Sequence, residues 1–425
     1  MGVGASAGEL TLNGGFLPFV HQNRPAPTGP APTILAMQLK RSARLGLAAT
    51  TAFLTTAGLA AAVTPTAAAA PAANWNQDGY GAGHTFYNPA ESVINSGTVK
   101  KLKTRWTVTP KAAVDSCPLN PVAPVVADGR MFVLEPDGNG VGAYDTKTGK
   151  KLWAHFAGYL EATGLAVAGD TVVVTDIACY SNSNYDSNVI ALDAATGDER
   201  WSSITGWTTD TVVVDAGTVA VSGYCGICDE EHGVQAFRLS DGASLWSRPN
   251  AVLAGPVSRG GRILLAGTTS AYTEDASIKT GIGTWGTGLR YAAGAADPSL
   301  PQFYVSNSAG LRALAATSGK TLWSVKNEAG ELATDGRRVY VASAGRINAY
   351  DTAKGKLLWT RALKTPGHLV RAGGLLYATS GKSLLVLAPT SGKTIRTFGT
   401  ATDHVVLSAG RLYVTNGRTV RTYTP

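Results

Sequence analysis

One phrase, Ala143-Tyr-Asp-Thr-Lys-Thr-Gly149-Lys-Lys-Leu-Trp153, returns in worn form along the chain. It recurs as Ala191-Leu-Asp193…Gly197…Trp201, Ala236…Gly242…Trp246, Thr280-Gly281…Trp285, Ala313…Gly319…Trp323 and Ala349-Tyr-Asp351…Gly355…Trp359. A repeat at this spacing means one supersecondary unit stacked many times, because a single unit cannot bury its own apolar face. It also sends equivalent loops of every unit to the same side of the array.

The tryptophans set the phase. Trp106, Trp153, Trp201, Trp246, Trp285, Trp323 and Trp359 are followed by Arg396 at the equivalent position. Between them lie alternating apolar runs around a turn, such as Ala123-Pro-Val-Val-Ala-Asp-Gly-Arg-Met-Phe-Val133 and Leu332-Ala-Thr-Asp-Gly-Arg-Arg-Val-Tyr-Val341. Period-two alternation around Asp-Gly reads as a β-hairpin. Each unit is therefore four antiparallel strands: a hairpin, a loop, the Ala-x-Asp strand, a Gly turn and the Trp strand. That is a propeller blade. After Arg396 only three strands fit before Pro425, whereas Val99–Trp106 is a Trp strand without predecessors. Pairing the two closes the ring without an open edge. The expected fold is all-β, an eight-bladed propeller; seven blades would require discarding the weak unit that ends at Trp285.

The motif has a mechanical reading. Asp145, Asp193 and Asp351 accept backbone N–H groups in the turn, and the glycine four residues later takes positive φ. Trp106, Trp153, Trp201, Trp246, Trp285, Trp323 and Trp359 are read as plates that dock blade on blade, each N–H finding a carbonyl. An aromatic ligand cage is the competing reading, which the repeated register disfavours.

Ala-x-Asp-x-x-Thr-Gly-x-x-x-Trp resembles the pyrroloquinoline-quinone (PQQ) enzyme repeat, over roughly Trp106 to Pro425. Two branches share that repeat: the large quinoprotein alcohol dehydrogenases, and shorter non-enzymatic propellers similar to the BamB lipoprotein of outer-membrane barrel assembly. The segment from Trp75 to Glu91 is similar to the lead-in of secreted members. The enzyme branch implies adjacent cysteines over the cofactor, yet no two cysteines here are neighbours; Cys225 and Cys228 are two residues apart. A quinone trianion needs converging Arg or Lys and a Ca²⁺ needs several oxygens, and neither set can be assembled on matching positions. No cofactor is expected, with PQQ and Ca²⁺ the alternative. The BamB branch is anchored through a cysteine after its signal, whereas none precedes Cys117 here.

Residues 1–36 read as a mis-assigned or disordered extension, because a secretory signal begins at Met37: Lys40, Arg41 and Arg44, the apolar run Leu45 to Val63, then Ala67–Ala70. The domain expectation is thus signal 37–70, lead-in 71–98 and propeller 99–425. No second apolar stretch is long enough to span a bilayer, so a secreted, monomeric protein is expected. Charge is uneven: residues 311–425 hold 17 Lys and Arg against 5 Asp and Glu. Such runs usually solvate a surface; the sharper reading is a field that steers the chain to an anionic envelope polymer or a protein partner. Basic–aromatic interleaving is missing, which argues against nucleic acid.

Export makes Cys117, Cys179, Cys225 and Cys228 disulfide candidates. Three connectivities exist. The favoured one pairs Cys117 with Cys179 and Cys225 with Cys228, and a redox Cys-x-x-Cys or a zinc site with His232 is the alternative. The blades ending at Trp153, Trp201 and Trp246 are the longest, and their extra residues fall in loops of one face. Loops on a rigid scaffold are where binding usually resides. Tyr180, Tyr185, Trp207 and Tyr224 offer flat contact surfaces, while Asp229, Glu230, Glu231 and His232 offer charge. No nucleophile elbow, zinc-protease motif or phosphate loop occurs. No catalytic residue and no metal ligand is assigned. The five histidines after the signal, His84, His155, His232, His368 and His404, lie in different units. The reading is a binding or scaffolding propeller; a PQQ-dependent dehydrogenase and a cell-wall or glycan-binding propeller are the alternatives.

Overall fold

The computed structural model describes residues 74–110, 122–135, 140–156, 161–177, 187–225, 231–400 and 402–425. Among them the chain forms eight sheets of four antiparallel strands, blades 1 to 8 in chain order, with one short 3-10 turn at Val99–Lys101. The first strands are Val125–Ala127, Glu161–Ala168, Thr208–Asp215, Ala251–Arg259, Ala292–Ala296, Glu331–Thr334, Pro366–Ala372 and Val405–Ser408. Those of successive blades pack side by side around the axis of the ring. Blade 6 shows the whole unit: Glu331–Thr334, Arg338–Ser343, Arg346–Asp351 and Leu357–Ala362. Its second and third strands are almost wholly buried, whereas its fourth alternates and is largely exposed. Strands covered on both faces by neighbouring sheets read as continuous apolar runs, and the outermost strand is the one most open to water.

The ring closes in blade 8. Lys103–Val108 pairs antiparallel with Thr419–Thr424, placing Trp106 opposite Thr422. The unit that ends at Trp285 is a full blade although its fourth strand, Gly286–Thr287, has two residues. Eight blades is the count.

The repeated motif holds each blade to the next. Asp351 Oδ1 accepts from the backbone N–H of Ala353 (3.0 Å) and Lys354 (2.9 Å), and Gly355 follows at φ +66°. That glycine lies beneath the ring of Trp323 from the preceding blade, where a Cβ would sit 2.5 Å from Cε3. The same ring donates its Nε1–H to the Thr352 carbonyl at 2.8 Å. Trp106, Trp153, Trp201, Trp246, Trp285 and Trp359 likewise each donate to a carbonyl of the following turn, at 2.8–3.2 Å, over a glycine. Arg396 has no such turn to cover, because the chain ends interrupt blade 8 there. Its guanidinium instead donates to the carbonyls of Val99 and Leu102 at the 3-10 turn, 4.1 Å above the Phe398 ring. A planar cation with several donors suits unpaired carbonyls better than an indole does.

The lead-in segment is the least repetitive part of the chain and touches every blade in order. Trp75 exchanges backbone hydrogen bonds with Val126 of blade 1, and the Asn76 carbonyl accepts from Val167 of blade 2. The Gln77 amide bonds both backbone groups of Val214 in blade 3. Carbonyls of Ala82, Gly83, Thr85 and Phe86 accept from Ser258, Ala296, Thr334 and Arg371 of blades 4 to 7. Tyr87–Asn88 then adds a short parallel strand to blade 7, and the Asn88 amide donates to Leu407 of blade 8. All these partners lie at the same level, beside the turns that link first and second strands. The segment therefore seals that end of the axis.

Candidate functional site

On the axis, just inside the seal, the lead-in presents Asp78, His84 and Phe86. His84 has left-handed backbone (φ +48°), as does Phe86 (φ +49°), and Gly79 makes room for the imidazole: a Cβ there would stand 2.4 Å from His84 Cδ2. Non-glycine residues in this region persist only where surrounding contacts hold them. His84 Nδ1 donates to the Gly294 carbonyl of blade 5 at 2.8 Å, and Nε2 faces Asp78 Oδ2 at 3.1 Å. Both ring nitrogens thus meet acceptors, an arrangement that only the imidazolium satisfies fully. Edge contacts then run from His84 to Phe86 (4.6 Å), Phe86 to His368 (4.6 Å) and His368 to His404 (5.4 Å).

The Asp78 side chain is 47 % exposed, on the side of the central channel that a closed propeller ring leaves. Burial works to raise its carboxyl, but the hydrogen bond from His84 and the charges of the three imidazoles outweigh burial and hold it at about 2. Burial opposes the proton on His84 as well; the Asp78 bond and charge and the Gly294 carbonyl win, and its pKa rises. His368 goes the other way, down to about 4, through burial and then the neighbouring His404. Its Nε2 is buried with no hydrogen-bond partner, as a neutral ring allows. Two imidazoles separated by one phenyl ring are therefore shifted in opposite directions.

These shifts fix a pH dependence. His84, raised in the fold, contributes stability that is complete below its ordinary value of 6.5 and is lost as pH climbs through the raised value. Asp78, depressed in the fold, contributes above its ordinary 3.8 and loses that contribution as pH falls towards about 2. The pair stabilises most between pH 3.8 and 6.5. Asp78→Asn is expected to flatten the alkaline decline of Tm above pH 6.5 relative to the parent. Parallel Tm–pH curves for the two proteins would show that the pair contributes nothing.

Of the loop residues singled out in the sequence, three fall together at one end of blade 3. Trp207 lies against Gly233, where a Cβ would touch its ring at 2.2 Å. Tyr224, 45 % exposed, pairs across the sheet with both Thr208 and His232, and its ring is 6.1 Å from that imidazole. Cys225 and Glu231 face each other in the backbone register. Tyr180, Tyr185, Asp229, Glu230, Cys117, Cys179 and Cys228 lie outside the described residues. The lumen group of Asp78, His84, His368 and His404 was not legible as a site. One signal existed: His368 and His404 each stand five residues before the turn that ends their first strand, at Gly373 and Ala409.

The lumen floor does not fit a quinone with its metal. Among the described residues no three His, Cys, Asp or Glu side chains converge as metal ligands. The charges that act most on Asp78 and His84 are imidazoles and carboxylates, the wrong set to clamp a tricarboxylate.

A family model described as outer membrane protein assembly factor BamB matches residues 99–287 and 307–421. Quinohemoprotein alcohol dehydrogenase of Comamonas testosteroni is 27% identical over 322 residues, 70% of this chain; the match spans only 40% of that enzyme. Its crystal structure superposes with a TM-score of 0.62 at 16% identity, covering 83% of this chain and 80% of that one. BamB from Moraxella catarrhalis gives 0.57 at 18% identity, covering 76% of this chain and 98% of that one. At such identities the superpositions speak for the fold. The family match covers well over half of the chain, which therefore belongs to the PQQ-like repeat family of BamB-type β-propellers.

Proposed function

We propose that this protein is an exported, non-catalytic binding propeller that receives a protein or an envelope polymer on the face opposite the lead-in seal. The observation that carries this reading is the state of the lumen floor. Efficient general acid–base chemistry wants a group with a free lone pair and a pKa near the working pH. His84 has both nitrogens engaged, Asp78 is held at about 2, and His368, lowered to about 4, keeps Nε2 buried out of reach of solvent. Each group is spent on holding the seal. Trp207, Tyr224 and His232 supply an aromatic wall at the other face, of the kind that gives contact area at little entropic cost.

The test is direct. Purified protein mixed with PQQ and Ca²⁺ is expected to show no thermal shift and no alcohol-dependent dye reduction. A shift accompanied by dye reduction would overturn the reading in favour of a dehydrogenase. Trp207→Ala and Tyr224→Ala are expected to weaken capture of the native partner from envelope extracts, and Tyr224→Ala, at a half-exposed position, to do so with Tm unchanged.

A further inference from the structure

On the outer side of the seal, between the lead-in and blades 4 to 7, lies a cavity of about 900 Å³. Arg259, Arg337, Arg338 and Arg371 line it, brought there by the first-strand turns of blades 4, 6 and 7. We propose that this cavity is a binding site for an oxyanion ligand, one that carries phosphate or carboxylate groups.

The charge inventory of the wall carries the proposal. Its three carboxylates are committed to donors of their own and neighbouring turns. Asp215 accepts from Ser258 Oγ (2.6 Å) and from the N–H of Gly261 (2.9 Å) and Ala216 (2.7 Å). Asp297 accepts from the N–H of Ser299 and Leu300, both at 2.7 Å, and from the Tyr304 hydroxyl. Asp335 accepts from the N–H of Arg337 (3.1 Å) and Arg338 (2.8 Å), then from Arg371 Nε (3.0 Å) and the Tyr340 hydroxyl (3.2 Å). The cations are treated differently. Arg371 is tied down by Asp335 and by the Leu375 carbonyl. The guanidinium groups of Arg259, Arg337 and Arg338 make no hydrogen bond or ion pair with protein among the described residues, and Nε of both Arg259 and Arg338 is cut off from solvent without a partner. The terminal nitrogens of these groups are left for a ligand, and an oxyanion is the acceptor that the planar guanidinium matches best. Three such groups face one cavity of ligand size.

The lead-in shapes the opposite wall. Tyr80 and Tyr87 contribute flat faces, and at Gly81 an added Cβ would meet open space, so a ligand can approach the backbone there. Blade 5 adds depth, because its first turn runs from Asp297 to Gln302 where blade 4 turns on Gly260-Gly261. The site is built from turns at the sealed end and so is independent of the face assigned to the partner.

Isothermal titration of the full chain tests this with inorganic pyrophosphate and with citrate, glucose serving as the uncharged control. Binding that tightens on lowering NaCl is expected for at least one of the two anions. Pyrophosphate alone would identify phosphate as the source, citrate alone carboxylate. Arg259→Gln and Arg338→Gln are each expected to weaken binding about tenfold, as lost charge-assisted bonds do. Arg337→Gln, at an exposed position that does not threaten folding, is expected to act in the same direction, whereas Lys147→Gln in a distant turn leaves affinity unchanged. No heat with either anion at low salt, or equal affinities for the parent and the three arginine variants, would overturn the proposal. Either result leaves the partner-binding face untouched.

Discussion

Trp75→Ala is expected to destabilise the propeller by about 3–5 kcal/mol, the usual loss on truncating a buried tryptophan. Trp75 is fully buried, stacks edge-on to Tyr80 at 5.6 Å, and starts the segment that touches all eight blades. Its truncation leaves a cavity at the point where the lead-in joins blade 1. Trp75→Phe provides the contrast. The indole Nε1 is buried without a partner, so a phenyl ring removes no hydrogen bond and leaves no group orphaned. That variant is expected to stay within about 1.5 kcal/mol of the parent, the range for conservative core swaps. Urea melts of the three proteins decide the matter. An alanine variant as stable as the parent would mean that the lead-in rests on the ring without supporting it.

The second large effect concerns the glycine beneath each tryptophan. Gly355→Ala meets two costs at once. The backbone is left-handed at φ +66°, which costs a side chain about 1–2 kcal/mol. The new methyl would also stand 2.5 Å from the Trp323 ring, and such overpacking typically costs ~1–3 kcal/mol more. Gly345, in the same blade, separates the two. It has φ +76°, but nothing lies within 4 Å of an added Cβ. Gly345→Ala is expected to lose only the backbone part, and Gly355→Ala clearly more. Equal losses in thermal unfolding would show that the ring adjusts freely, and that the stacking of tryptophan on glycine is not what sets the blade spacing.

The blades were legible because they repeat. A tryptophan that always covers the next glycine leaves the same residues at the same spacing, so strand order, blade number and the closing pair of Lys103–Val108 with Thr419–Thr424 could all be read from the chain. Arg396 was visible as an exception, but its reason was not: only the structure shows that the turn it would have covered is replaced by a 3-10 turn with free carbonyls. The lumen was illegible for the opposite reason. Asp78 and His84 belong to a segment used once, and their partners come from blades hundreds of residues away. His368 and His404 share one register in successive blades, but nothing in the repeat marks the unrepeated Asp78 and His84 they meet. The same holds for the arginines of the outer cavity, which read one by one as ordinary turn cations.

The order in which the lead-in meets the blades has a consequence for how the ring is measured. From Trp75 to Asn88 the segment takes one step per blade around a full circle, whereas the blades spend more than three hundred residues on the same circuit. It is a ruler of fixed length laid inside the closed ring. With one blade fewer, a rung of the segment would have no strand to bind; with one more, a strand would go without a rung. Such long-range pairing is intrinsically slow to form, and here it cannot be completed until the last blade is in place. The first residues of the fold thus act as the gauge against which the finished count is checked.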